Sequence, residues 1–169
     1  MREPDEPDGD ILLSYLDPSF GTAIAMAISE WARFEYRLDQ AIWELAEIEP
    51  EIGACITCQL PTVVSRFNAL IALTKSLEWN ELEIKKITKL QGKSQEIADK
   101  RNRVVHDPWF IAYKSGEHYR LQKTAKGKLE YIYKAVTIEE LESIKSDSLK
   151  LSEQLDIIFR EHYSANHRI

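Results

Sequence analysis

Cysteine is scarce in this chain of 169 residues, with two, and histidine is nearly so, with four. Two cysteines build no disulfide framework, so a hydrophobic core must hold the fold, and a reducing cytoplasm is the expected setting. Long apolar runs are missing as well; none approaches the roughly 18 residues of a membrane span, so no membrane partner is expected. The first ten residues, MREPDEPDGD, are acidic and proline-rich, the opposite of a signal peptide. The chain has no phosphate-cradling glycine loop, no nucleophile elbow and no carboxylate pair at metal-ligand spacing. Neither a cofactor nor a metal is therefore expected. Basic charge is also in deficit: 22 Lys+Arg stand against 28 Asp+Glu, a formal net charge of −6. At face value that excludes a nucleic-acid binder, because neutralising phosphates takes Lys and Arg.

What is present reads as an ordinary globular domain, 44% hydrophobic and 30% charged, long enough to bury a real core. The charge is unevenly spread. Between Lys85 and Lys134 thirteen basic residues face five acidic ones, a net of +8, and the rest of the chain carries −14. The average hides a basic centre between acidic flanks, which is either a solvated face or a phosphate-facing surface.

The pattern predicts a mainly α fold of four to five helices with a small antiparallel β-hairpin insert before the last helix. Residues 1–10 read as a disordered acidic tail, 11–163 as one domain and 164–169 as a frayed end. Ile24, Ile28, Trp31, Glu35, Leu38, Ile42 and Leu45 recur at helical spacing. They predict a helix from an N-cap at Thr22 to about Ile48, ended by Glu49-Pro50. A second helix is expected from Pro61 to Trp79. A third is expected from Asn80 to His106, weakened at Gly92 and stopped by Pro108. Strands are expected at Trp109–Tyr113, His118–Thr124 and Lys128–Val136, with turns at 114–117 and 125–128. Thr137 and Glu140 form a capping-box pattern that opens the last helix.

The residues best suited to chemistry close the third helix: Arg101, Asn102, Arg103, Val104, Val105, His106 and Asp107. Asn102 and His106 are one turn apart on the same side, and the long Arg101 side chain can swing toward them. Val104 and Val105 should face inward. A guanidinium, an amide and an imidazole together suit a phosphodiester. A histidine at a helix C-terminus also matches the helix dipole, which is a purely structural role. Lys93, Lys100 and Arg103, in the same basic stretch, are candidate RNA contacts. Glu35 sits within an apolar stripe and would be costly there unpaired. Arg101 is its expected partner, unless Glu35 reaches solvent at the helix edge. Cys55 and Cys58 form a lone CxxC, read as small buried thiols in an apolar connector. Tyr113, Tyr119, Tyr131 and Tyr133 read as strand packing rather than a base-stacking surface.

The Arg101-Asn102-xxx-His106 run resembles the signature of the HEPN superfamily, in which an Arg, a polar residue and a His lie on one helix of a bundle. Glu35 after Trp31 is similar to the first helix of abortive-infection-type members. The resemblance implies a HEPN-like bundle and a metal-independent endoribonuclease in a toxin–antitoxin or phage-defence setting. In that setting Arg101, Asn102 and His106 are catalytic and Glu35 supports Arg101. It also implies a homodimer whose two motifs face one cleft, an RNA substrate and a possible antitoxin protein. The same superfamily includes catalytically silent members, so an RNA- or protein-binding dimer is the alternative.

Overall fold

The computed structural model describes residues 12–124 and 129–166. Within them the chain is mainly helical with a small four-stranded antiparallel sheet. The order is β1 (Leu12–Leu13), α1 (Pro18–Ala46), α2 (Pro50–Thr57), α3 (Val63–Ser76), α4 (Glu81–His106), β2 (Trp109–Ala112), β3 (His118–Thr124), β4 (Glu130–Val136) and α5 (Ile138–Asn166). No described helix is long and apolar enough to cross a membrane. The expected acidic tail and the expected turn at 125–128 lie outside the described residues.

Two prolines open helices. Asp17-Pro18 opens α1: the Asp17 carboxylate accepts from the Ser19 and Phe20 amides at 2.8 and 3.2 Å, and Pro18 occupies the first turn. Proline fits there because its missing N–H would be unpaired anyway. Thr22, the expected cap, lies a turn inside the helix and donates to the Pro18 carbonyl at 2.8 Å. Pro50 likewise begins α2, a helix that the pattern did not predict. Glu47, at φ 52°, turns the chain between the two.

The other helix ends follow elementary capping chemistry. α3 begins at Val63 rather than at Pro61, and Thr62 caps it in a reciprocal box with Ser65. Leu77 is exposed beyond the end of α3. The Asn80 side chain caps α4 at the Glu83 amide, 3.0 Å away, and α4 then runs unbroken through Gly92. Thr137 Oγ1 accepts from the Glu140 amide at 3.3 Å, as the box pattern at α5 predicts. α5 continues to Asn166, and its last turns are docked: the His162 ring stacks on Trp79 at 3.6 Å between centroids.

α1 packs most extensively on α5 and also on α3, while α4 lies against α3 and α5. Trp31, Phe34 and Leu38 of α1 are fully buried with Phe67 and Leu70 of α3, Ile87 of α4, and Leu141 and Leu155 of α5. Polar groups enter this core only when bonded. The Ser94 and Ser148 hydroxyls, wholly buried, donate to the carbonyls of Gln91 and Ile144 at 2.8 Å, which removes the cost of an unpaired hydroxyl.

The sheet is larger than a hairpin. Leu12 and Leu13, in a segment left unassigned from sequence, pair with Ala112 and Ile111 and give the order β1-β2-β3-β4. The turn at 114–117 has Gly116 at φ 72°, a left-handed position that glycine adopts without strain. Contacts at both ends fix the sheet to the helices. The His118 ring stacks on Phe20 at 3.6 Å, and its Nε2 lies 2.7 Å from the Asp17 carboxylate. That approach is off the hydrogen-bond direction, so it is a close polar contact rather than an aligned bond. At the other end, Trp109 Nε1 donates to the Val104 carbonyl at 2.9 Å.

Candidate active-site cleft

The last turns of α4 meet α1 and the start of α3 at a cleft of about 340 Å³. Trp31 and Glu35 line it from α1, Pro61 and Thr62 from the turn before α3, Val63 and Val64 from α3, and Gln95, Ala98, Arg101 and Asn102 from α4. Arg101 NH1 donates to Asn102 Oδ1 at 3.0 Å, which fixes amide and guanidinium side by side. The Arg101 Nε is buried and, among the described residues, has no hydrogen-bond partner. A buried donor without an acceptor costs about 1–3 kcal/mol, so a rearrangement that brings an acceptor to this N–H is favoured.

Glu35 lines the same cleft, but its partner is not the expected Arg101. Its carboxylate takes Arg66 NH1 at 3.1 Å, and Arg66 Nε binds Asp39 at 2.8 Å. One guanidinium on α3 thus holds two carboxylates, four residues apart on α1. Burial pushes the Asp39 carboxyl above its ordinary value, while Arg66 and Thr57 pull the other way. Sequence reading passed over Arg66 because it interrupts the apolar side of α3. Its place between Val64 and Phe67 on a helix opposite two α1 acids was the available signal.

His106 is exposed and makes no hydrogen bond or ion pair among the described residues. It follows Asn102 by one turn of α4 but does not line the cleft. Val104 is buried as expected, whereas Val105 is 41% exposed and does not hold the inner face.

The three candidate RNA contacts lie elsewhere. Arg103 donates to the Lys123 carbonyl at 3.2 Å and lies 3.6 Å from Asp107. Asp107 also takes Arg120 NH1 at 2.6 Å, both side chains being nearly buried. Arg103 therefore helps to tie β3 to the end of α4. Lys93 and Lys100 line a separate groove between α4 and α5, with Gln154, Glu96, Asp147 and Lys150. Helix geometry explains the separation: nine residues at about 100° each put Lys93 half a turn from Asn102.

Cys55 and Cys58 are both exposed, contrary to the expected buried thiols. α2 turns Gly53 and Thr57 inward instead. Of the four tyrosines read as strand packing, Tyr119 is buried and Tyr113 is 70% exposed. Among the described residues no group of three or more His, Cys, Asp or Glu is arranged to hold a metal. Compared with models of known protein families, with curated proteins and with solved structures, the chain has no significant match.

Proposed function

We propose that the chain is a HEPN-type, metal-independent endoribonuclease whose chemistry is carried by Arg101, Asn102 and His106. The observation that carries this reading is the pairing of Arg101 with Asn102 in a cleft where the Arg101 Nε–H is buried and, among the described residues, unpartnered. A guanidinium in that state suits the oxygens of a phosphodiester. His106, accessible and without a hydrogen bond or ion pair among the described residues, suits proton transfer.

In this mechanism the ribose 2′-hydroxyl attacks the adjacent phosphorus and the bond to the next 5′-oxygen breaks. The products are a 2′,3′-cyclic phosphate and a 5′-hydroxyl. His106 moves a proton, Arg101 stabilises the charge that grows on the phosphorane-like transition state, and Asn102 orients the group. One imidazole serves poorly as base and acid in a single step. A twofold dimer through the α4 face would bring a second His106 and Arg101 to a shared cleft. It would also account for a histidine that stands outside the cleft of its own chain. The setting we infer is cytoplasmic toxin–antitoxin or phage defence, with an antitoxin protein as the neutralising partner.

One observation favours the alternative of a silent RNA- or protein-binding dimer: His106 is not among the cleft residues. Expression of the wild type, Arg101→Ala and His106→Ala in a bacterial host, with the mass of each purified protein measured by light scattering, separates the two. The ribonuclease reading expects growth arrest by the wild type alone and a dimer in all three. Equal growth in all three, or a strict monomer, overturns it.

A further inference from the structure

We propose that Cys55 and Cys58 form a reversible dithiol–disulfide site whose state is passed through Thr57 and Trp43 to the Asp39, Arg66 and Glu35 cluster beside the cleft. Both cysteines are exposed. Cys55 lies in α2, and Cys58 continues the same right-handed turn at φ −60°, ψ −19°. Helix geometry places Cα atoms three residues apart at about 5 Å, within the roughly 4.4–6.8 Å that a disulfide spans. Both thiols are open to a low-molecular-weight disulfide; their Cβ atoms, about 5–6 Å apart at helical spacing, must close to about 3.5–4.5 Å, so joining them tightens the backbone of this turn.

The exchange balances without any further reactant. One cysteine thiolate attacks a sulfur of a small disulfide RSSR, and RS⁻ leaves and takes up a proton. The second cysteine gives up its proton, attacks the protein sulfur of the mixed disulfide and releases a second RSH. Two protein thiols become one S–S bond as RSSR is reduced to two RSH.

What makes the site more than two surface thiols is the residue between them. Thr57 is buried, and its hydroxyl accepts from Trp43 Nε1 at 3.3 Å and reaches the Gly53 carbonyl at 3.1 Å. Trp43 stands one turn along α1 from Asp39. Asp39 shares Arg66 with Glu35, which lines the cleft beside Arg101. α2 has no room to slide and absorb a change in this turn. A Cβ at Gly53 would stand 2.5 Å from the Trp43 ring, so the helix already touches α1 backbone to side chain. Closing the disulfide constrains residues 55–58, and any resulting displacement of Thr57 falls on Trp43 and, one turn along α1, on Asp39. The site is independent of whether the cleft cuts RNA.

The test uses the full chain incubated with oxidised glutathione and then with dithiothreitol. Intact mass and alkylation report the thiols, and two-dimensional NMR follows the Trp43 indole N–H and the Arg66 Nε–H. We expect the wild type to lose two hydrogens and both alkylation sites, with the two resonances shifting and then returning on reduction. Cys55→Ser and Cys58→Ser should instead each hold one removable glutathione, with the Arg66 resonance unmoved. Two separate glutathione adducts on the wild type would overturn the proposal. So would an internal disulfide that leaves Trp43 and Arg66 where they were.

Discussion

Replacing Arg66 by Met removes the cation that holds Glu35 and Asp39 while keeping most of the apolar stem that packs between α1 and α3. The side chains of Arg66, Glu35 and Asp39 are 15%, 26% and 15% exposed. Breaking a fully buried pair costs about 3–5 kcal/mol, and breaking an exposed one about 0.2–1 kcal/mol. The cluster lies between these limits, so about 2 kcal/mol is expected near neutral pH. The loss should depend on pH in a definite direction. Burial already raises the Asp39 carboxyl in the folded state, and removing Arg66 raises it further, while the unfolded value stays ordinary. The folded protein then holds a proton that the unfolded chain releases, so stability falls as pH rises through that window and recovers below it. Urea unfolding followed by tryptophan fluorescence, at about pH 7 and about pH 5, measures both quantities. A deficit under about 0.5 kcal/mol, or one equal at both pH values, would refute the assignment of Arg66 as the common partner. The same substitution frees Glu35 to pair with Arg101 across the cleft. Activity lost in Arg66→Met should therefore return in part in the double variant with Glu35→Gln.

Other expectations follow from the same geometry. Gly53→Ala should destabilise, because overpacking against Trp43 costs about 1–3 kcal/mol against a helix-propensity gain of about 1 kcal/mol. Gly92→Ala, with open space around it, should stabilise by about 1 kcal/mol, and thermal melts of the two variants should move in opposite directions. Asp107→Ala strands Arg120, whose side chain is 10% exposed. Amide exchange should quicken in β2 and β3 while α3 stays protected, and uniform protection would refute the anchoring role. Lys93→Ala with Lys100→Ala should leave RNA cleavage close to wild type, because both lysines face the α4–α5 groove. A loss as large as that of Arg101→Ala would place the substrate there instead.

Periodicity made the long elements legible. Every helix with a sustained apolar stripe is present, and β3 spans His118–Thr124 as the pattern predicts. What failed was punctuation. Proline after Asp17 or Glu49 is compatible with ending one element or beginning the next, and an eight-residue helix such as α2 has too few turns to show a period. Helical phase was also in the sequence but went unused for the basic block. The +8 stretch counts Lys93, Lys100, Arg103 and Arg120 together, although α4 turns the lysines away from Asn102 and the two arginines close on Asp107. The pairing of Glu35 with Arg66 was not legible, since it depends on the register of α1 against α3, and a single chain pattern carries no such register. Nor was the exposure of Cys55 and Cys58, which follows from the undetected α2 presenting Gly53 and Thr57 to the core.

The charge deficit takes on a different meaning in three dimensions. Lys85, Lys86, Arg103 and Arg120 of the basic centre are held in ion pairs and the flanks are acidic, so a general affinity for polyanions is not expected. Cleft binding would rest instead on the few groups around Arg101.

The most direct test is cleavage of an end-labelled RNA by purified wild type, Arg101→Ala and His106→Ala with EDTA present, followed by analysis of the product ends. The account predicts that the wild type alone cuts and leaves a 2′,3′-cyclic phosphate and a 5′-hydroxyl. Intact RNA with the wild type, or equal cutting by all three proteins, would contradict it.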